Sequence, residues 1–444
     1  MVGVSAGHPH DADQDLPTSP AVRRLTLALL VPAALLTLIA MALLWPRDTT
    51  NAAAVDSGER VNGEVVAVQR IACPDVPVEE ELPGEETPVG PPTVCGTVTV
   101  QVTSGPDAGT QISTEIPSGP GSVTVAEGDD IELLRLPDSP DGQIYSIYDQ
   151  RRSTQLWIIG AAFALAVIAF GRWRGLTALL GLGLTFAILL WFVVPAILHG
   201  RPPVLVAIVG AAAIMLAVLY LTHGLRLSTS IAVAGTLAAL TITAVLSALA
   251  TTFTHLTGVS DETSGYLNIT RGDVDMKGLL LAGIVIGSLG VLDDVTVTQA
   301  TAVTELAHAN PAYGFGQLYR AADRIGRAHI ASVVNTIVLA YAGASLPLML
   351  LFAAGNDPIS QTLTSQLVAQ ELVRGAVGTL GLVAAVPITT ALAAAAAGRG
   401  VAGRGVAADS AASPVAPAPA RSPVAAPDAD PWMAFMERHD DPRS

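Results

Sequence analysis

Followed residue by residue, the chain alternates long apolar runs with short charged gaps, and one extended polar interval interrupts this near the start. The first run, 25–45, stands behind Arg23-Arg24. It is long enough to span a bilayer and too long for the core of a signal peptide. Seven more apolar runs follow, at about 155–171, 176–198, 203–222, 229–253, 278–303, 331–354 and 373–397. Between the first run and the second, the pattern changes to short β-rich stretches at 64–68, 96–103, 110–116, 130–136 and 143–148. Clusters of Pro, Gly and Asp, such as Ser104-Gly105-Pro106-Asp107, separate them. The pattern predicts a mainly α membrane bundle of about eight transmembrane helices, with a small β domain (a barrel or a sandwich) after the first helix.

The gaps also give a direction. Arg23 and Arg24, Arg172 and Arg174, Arg226, then Arg320, Arg324 and Arg327, then Arg399 and Arg404 fall in alternate gaps. The opposite gaps hold only Arg201, Arg271 and Lys277. Positive charge stays on the cytoplasmic side, so both termini are expected there and the β domain outside. The expected division is a disordered cytoplasmic N-terminus (1–21), an uncleaved anchor helix (22–45), an extracytoplasmic β domain (50–152), a seven-helix membrane domain (155–397) and a disordered cytoplasmic tail (398–444). At the tail's end Trp432, Phe435 and Met436 have helical spacing, which leaves room for a protein partner there or at the outer domain.

Composition narrows the class further. Of 444 residues, 51% are hydrophobic and 14% charged, below the quarter typical of soluble domains. The formal charge of −15 is concentrated between Asp48 and Asp149, and no basic cluster exists for nucleic acid. The two cysteines, Cys73 and Cys95, both lie in the interval expected outside, where a disulfide is the natural reading. It would close a loop of about 20 residues, worth roughly 3 kcal/mol in the chain-entropy account.

The stretch with most chemistry is 278–305, GLLLAGIVIGSLGVLDDVTVTQATAVTE. At 100° per residue, Gly283, Gly287, Gly290, Asp294, Thr298, Thr301 and Glu305 share one narrow face. The glycines are expected to admit another helix closely, with a partner in the small-residue span 229–253. A carboxylate among lipid tails costs about 3 kcal/mol even on lenient scales, so the acids should face protein or water. Counting from Leu279 puts Asp294 about 22 Å down, in the inner third of a core of about 30 Å. Asp293 and Asp294, with Thr298, Gln299, Thr301 and Glu305 and with Asn335 opposing from 331–354, form the expected transport or polar site. Two readings stay open: an ion or proton relay, or polar glue that locks the bundle.

Enzymatic readings find little support. An intramembrane aspartyl protease needs carboxylates on two helices, and here the pair is sequential on one. Asp293-Asp294-Val295-Thr296-Val297 lacks the third acid of a phosphate–metal motif, and no Walker loop occurs. His199, His223, His255, His308 and His329 are scattered, with no metal-ligand spacing. No metal and no cofactor are expected.

Three stretches carry a family resemblance: GLLLAGIVIGSLGVLDDVTVTQATAVTEL (278–306), IGRAHIASVVNTIVLAYAGASLPLMLLF (325–352) and LTGVSDE (256–262). In these the chain resembles the YibE/F family of multi-pass bacterial membrane proteins. One departure is Ala328, where the family pattern often carries an acid before His329. The resemblance implies an integral protein of the bacterial plasma membrane, with permease as a provisional role. The expected function is therefore transport of a small solute or ion across the bilayer. The competing class is a non-transporting scaffold or sensor whose outer domain binds a partner.

Overall fold

The structure is a computed structural model and describes residues 20–46, 59–72, 94–117, 122–137, 139, 143–260, 262–270, 272, 274–354 and 358–408. Cys73, Arg271, both termini and the Trp432 segment therefore lie outside the described residues, and with Cys73 lies the expected disulfide.

The polar interval forms a five-stranded antiparallel sheet: β1 (Glu59–Ala72), β2 (Val94–Val102), β3 (Gln111–Glu115), β4 (Asp130–Arg135) and β5 (Tyr145–Gln150), in the order β3-β2-β1-β4-β5. Alternation explains its core. Val61 and Val65 of β1, Val98, Val100 and Val102 of β2, and Ile131 and Leu133 of β4 point to one side and are fully buried. β1 is long enough to pair with β2 along one edge and β4 along the other, bulging between Val65 and Ala67. The two outermost strands then meet, Thr114 Oγ1 of β3 donating to the Tyr145 carbonyl of β5 at 2.8 Å. The sheet curls until its edges touch, which favours the barrel over the sandwich. Cys95 sits at the start of β2, opposite Ile71.

The turn after β2 carries Asp107, whose carboxylate accepts from the Tyr145 hydroxyl and from Arg135 Nε, the latter at 3.2 Å. The Tyr145 hydrogen bond, ahead of the Arg135 contact, holds this carboxyl below its ordinary value, with partial desolvation acting the other way.

The rest is helical. α1 (Pro20–Leu44), α2 (Ser153–Ile188), a π-helical turn (Leu189–Val193), α3 (Val194–Leu198), α4 (Pro203–His223), α5 (Leu227–Phe253), α6 (Glu262–Thr270), α7 (Met276–Ala309), α8 (Phe315–Ala344), α9 (Leu346–Ala354), α10 (Ile359–Thr364) and α11 (Gln366–Ala408) follow in order. Local chemistry sets several ends. Pro203 opens α4 and Gly224, at φ 76°, closes it; Asp275 caps α7 by accepting from the Gly278 amide at 3.0 Å. Among the described residues, seven helical segments are long and apolar enough to cross a membrane, where the apolar pattern predicts eight. The difference lies in 153–198, which runs as one segment with a sharp corner at Arg172 (φ 50°, ψ −125°), so the two expected spans are joined without a loop. The expected span 331–354 is likewise divided, between the end of α8 and α9.

The bundle's centre is the contact of α5, α7 and α11, with α4 against α7. The closest approach is between α5 and α11. A Cβ on Gly235 would fall onto Thr389, and one on Gly381 onto Thr243, so each glycine receives the other helix's threonine. This overturns the expected packing role of Gly283, Gly287 and Gly290. A Cβ at Gly283 or Gly290 meets nothing within 4 Å, and one at Gly287 makes only an ordinary contact, 3.8 Å from Tyr341 Oη. Helical periodicity identifies a shared face without saying which way it turns. The face of α7 that packs is the other one, through Ala282, Val285, Ser288, Leu292, Thr296, Gln299 and Val303.

Two outcomes test this account. Gly235→Val or Gly381→Val should destabilise the bundle by about 1–3 kcal/mol through overpacking, and Gly283→Ala should be tolerated. Thermal melts of the full chain in detergent decide it, and equal losses for all three would refute the assignment. In the β domain, a depressed Asp107 carboxyl stabilises the fold above about pH 4 and loses that effect as pH falls through its folded value. Asp107→Asn should therefore flatten the acid limb of β-domain unfolding, read by proteolysis between β4 and β5 at about pH 7 and about pH 3.

Candidate functional site

The site begins with the corner in α2. Arg172 takes a left-handed conformation that a non-glycine residue adopts at a cost. Three residues on, Gly175 passes so near the Val167 carbonyl that a side chain would not fit. The turn places Trp173 and Arg174 at the mouth of a cavity of about 720 Å³ between α2, α4, α5 and α7. α4 contributes Thr222 and His223 at its end, and the short link into α5 brings Arg226, Ser228 and Thr229. Tyr220 and Ser230, with their hydroxyls 3.0 Å apart, tie the two helices beside the mouth.

α7 supplies Asp293, Val297 and Thr301, one turn apart along the same wall. Asp293 Oδ1 is buried and accepts no hydrogen bond among the described residues. Below it, Thr296 Oγ1 donates to the Asp293 carbonyl at 3.1 Å and lies 2.6 Å from Thr236 Oγ1. The cavity thus brings together basic groups, hydroxyls and one carboxylate, whose Oδ1 is buried away from the space. Such a site can bind a polar solute at both ends or hold water against the carboxylate. Among the described residues, no three His, Cys, Asp or Glu side chains gather as a metal set.

The structure separates the residues grouped from sequence. Asp293 and Thr301 line the cavity, while Asp294, Thr298 and Glu305, on the exposed face of α7 that begins beside Thr301, are not among its lining residues. The Asp294 side chain is 71% exposed, and its Oδ2 stands 4.0 Å from His329 Nε2 of α8. Asn335 is exposed on α8, nearly two turns beyond His329, and does not oppose the acids. Gln299 is only 2% exposed; its Nε2 donates to the Ala322 carbonyl and to Thr390 Oγ1, both at 2.8 Å, joining α7 to α8 and α11.

From Lys277 to Asp294 the helix rises about 25 Å, close to a full hydrocarbon core. On α8 the apolar run starts at Ile330, directly after the histidine that faces Asp294. The exposed Asp294 therefore lies beside the residue at which the apolar run of α8 begins.

A family profile described as YibE/F-like protein matches residues 159–399. The chain belongs to the YibE/F-like family. The match takes in the α2 corner, the cavity and the α5–α7–α11 centre, and ends before the tail. No curated protein and no solved structure matches the chain. Together with the seven long apolar helices, membership describes a multi-pass membrane protein.

Arg174, Thr177, Thr222, His223, Arg226 and Thr229 are the cavity residues that sequence reasoning passed over. The arginines read as topology determinants and His223 as an edge histidine, and only the α2 corner shows that they face one space. For this YibE/F-like protein the cavity makes a labelling prediction. Cysteine at Thr177 or Thr301 should react with a membrane-impermeant maleimide from one side of the membrane only, and cysteine at the buried Thr236 should not. Equal labelling of all three would mean the cavity is not a vestibule.

Proposed function

We propose that this YibE/F-like protein is a plasma-membrane permease, with a vestibule that opens to the cytoplasm and ends at Asp293. The carrying observation is the cavity itself, polar at mouth and base and walled by the helices at the bundle's centre. The orientation rests on charge: Arg23, Arg24, Arg174, Arg226, Arg320 and Arg324 belong to the vestibule's end of the chain's alternating gaps. Both termini then lie in the cytoplasm and the β domain outside. The role favoured is transport: Thr222 Oγ1 lies 2.8 Å from His223 Nδ1, but the hydroxyl also donates to the Val218 carbonyl of its own helix, and the cavity is walled by the bundle's central helices.

The fitting substrate is a small polar solute. An anionic group would pair with Arg174, and a hydroxyl or amine at the other end would donate to the Asp293 carboxylate. Asp294, on the outer face, takes no part in binding. The test is solute uptake into proteoliposomes over a metabolite panel, with and without a pH gradient. Asp293→Asn should reduce uptake at least tenfold, and Asp294→Asn less than twofold. A fully active Asp293→Asn protein, or equal losses in the two variants, would remove this reading.

A further inference from the structure

Beyond the vestibule, a line of polar side chains continues through the bundle between α5 and α11. On α5, Gly235, Ala239, Thr243, Ser247 and Thr251 recur every fourth residue, about 6 Å apart along one face. On α11, Gly381, Ala385 and Thr389 run antiparallel to them, with Thr389 against Gly235 and Thr243 against Gly381. Thr243, Ser247, Thr251 and Thr389 are all 0% exposed. Thr236, also 0% exposed, joins the line to the base of the vestibule through Thr296. At the far end stand Gln370, 8% exposed, and the Glu371–Arg374 ion pair at 3.0 Å.

Packing glue does not account for three atoms in this seam. Ser247 Oγ, Thr389 Oγ1 and Gln370 Oε1 are buried with no hydrogen-bond partner among the described residues. Leaving such groups dry costs about 1–3 kcal/mol each, and a buried water is the usual remedy. Thr243 and Thr251 already donate to the Ala239 and Ser247 carbonyls, so their remaining lone pairs accept. The unpaired hydroxyls of Ser247 and Thr389 are free to turn. One turn of helix between hydroxyls is about the span of a single bridging water. The longest gap, from Thr236 to Thr243, is flanked by Ala239 and Ala385, whose side chains are single methyl groups.

We propose that this seam is a proton path, occupied by single waters, between Glu371 at one end and Asp293 at the other. The glycine–threonine contacts leave no room for a solute, and a proton needs none. In each step a water or hydroxyl oxygen accepts one proton and releases another, so one enters at a terminal carboxylate as one leaves at the other. The charged and titratable groups along the route are Glu371 and Arg374 of α11, Asp293 of α7 with Asp294 beside it, and Arg174, His223 and Arg226 lining the vestibule from α2, α4 and the link into α5. The path extends the permease reading by giving it an energy source, yet it is measured without any solute.

The full chain is placed in vesicles of neutral and anionic phospholipid that hold a pH-sensitive dye, and a potassium diffusion potential drives protons inward. The wild type should acidify the lumen at least tenfold faster than protein-free vesicles. Ser247→Ala and Thr389→Val should each slow this at least fivefold at unchanged melting temperature, and Thr389→Ser should restore it. A wild type no faster than empty vesicles overturns the proposal. So do hydroxyl-free variants that conduct normally, or losses that only follow lost folded protein. Solute uptake separates the two readings. If Asp293→Asn abolishes uptake and leaves proton flux intact, the path fails and the vestibule stands. If the seam variants lose proton flux while Asp293→Asn transports solute normally, the path stands and the vestibule fails.

Discussion

The contact between α5 and α11 governs the rest of the molecule. In a bilayer, apolar side chains gain little by leaving lipid for protein, so helices associate through close packing and polar contacts. Gly235 and Gly381 each admit the threonine of the facing helix, and the two backbones come close enough to exclude lipid. α7 closes the third side with Thr296 on Thr236 and with Gln299 reaching Thr390. α4 packs against α7 of this centre and also carries α2, and the end of α4 and the α2 corner line the vestibule. The hydroxyls that permit the packing also leave a polar seam through it. Cohesion and a route for protons thus come from the same side chains.

The legible part of the fold was whatever depended on length and alternation. Apolar runs near the span of a bilayer became helices, and period-two stretches with Gly and Pro breaks became strands. The joining of 155–171 to 176–198 was hidden because its cause is one backbone conformation at Arg172 and one close approach at Gly175, neither of which alters hydropathy. Seven segments and eight expected spans differ only in whether 153–198 is taken as one piece or as two on either side of Arg172.

The site was half legible. A carboxylate pair at the end of an apolar helix is costly wherever it lies, and this alone singles out Asp293 and Asp294. Their different surroundings were not readable. Residues 100° apart on one helix can face a cavity and the exterior, and periodicity is blind to that choice. The glycine stripe 283–287–290 failed on the same ground, since the buried stripe of α7 also carries small residues, Ala282, Ser288 and Ala300 among them. Gln299 was grouped with the acids because it is polar, yet its bonds to α8 and α11 make it a clamp.

The asymmetry between the two aspartates has a mechanistic consequence. Asp294 is exposed beside His329, next to the buried Asp293 in the chain. Asp293 faces a confined space with one oxygen unpaired, directly above the Thr236–Thr296 contact where the seam begins. A proton arriving along the seam meets that carboxylate first, and a solute entering from the basic rim meets it last. One acid can then couple the two, because protonation removes the acceptor that holds the solute. No second titrating group between them is needed.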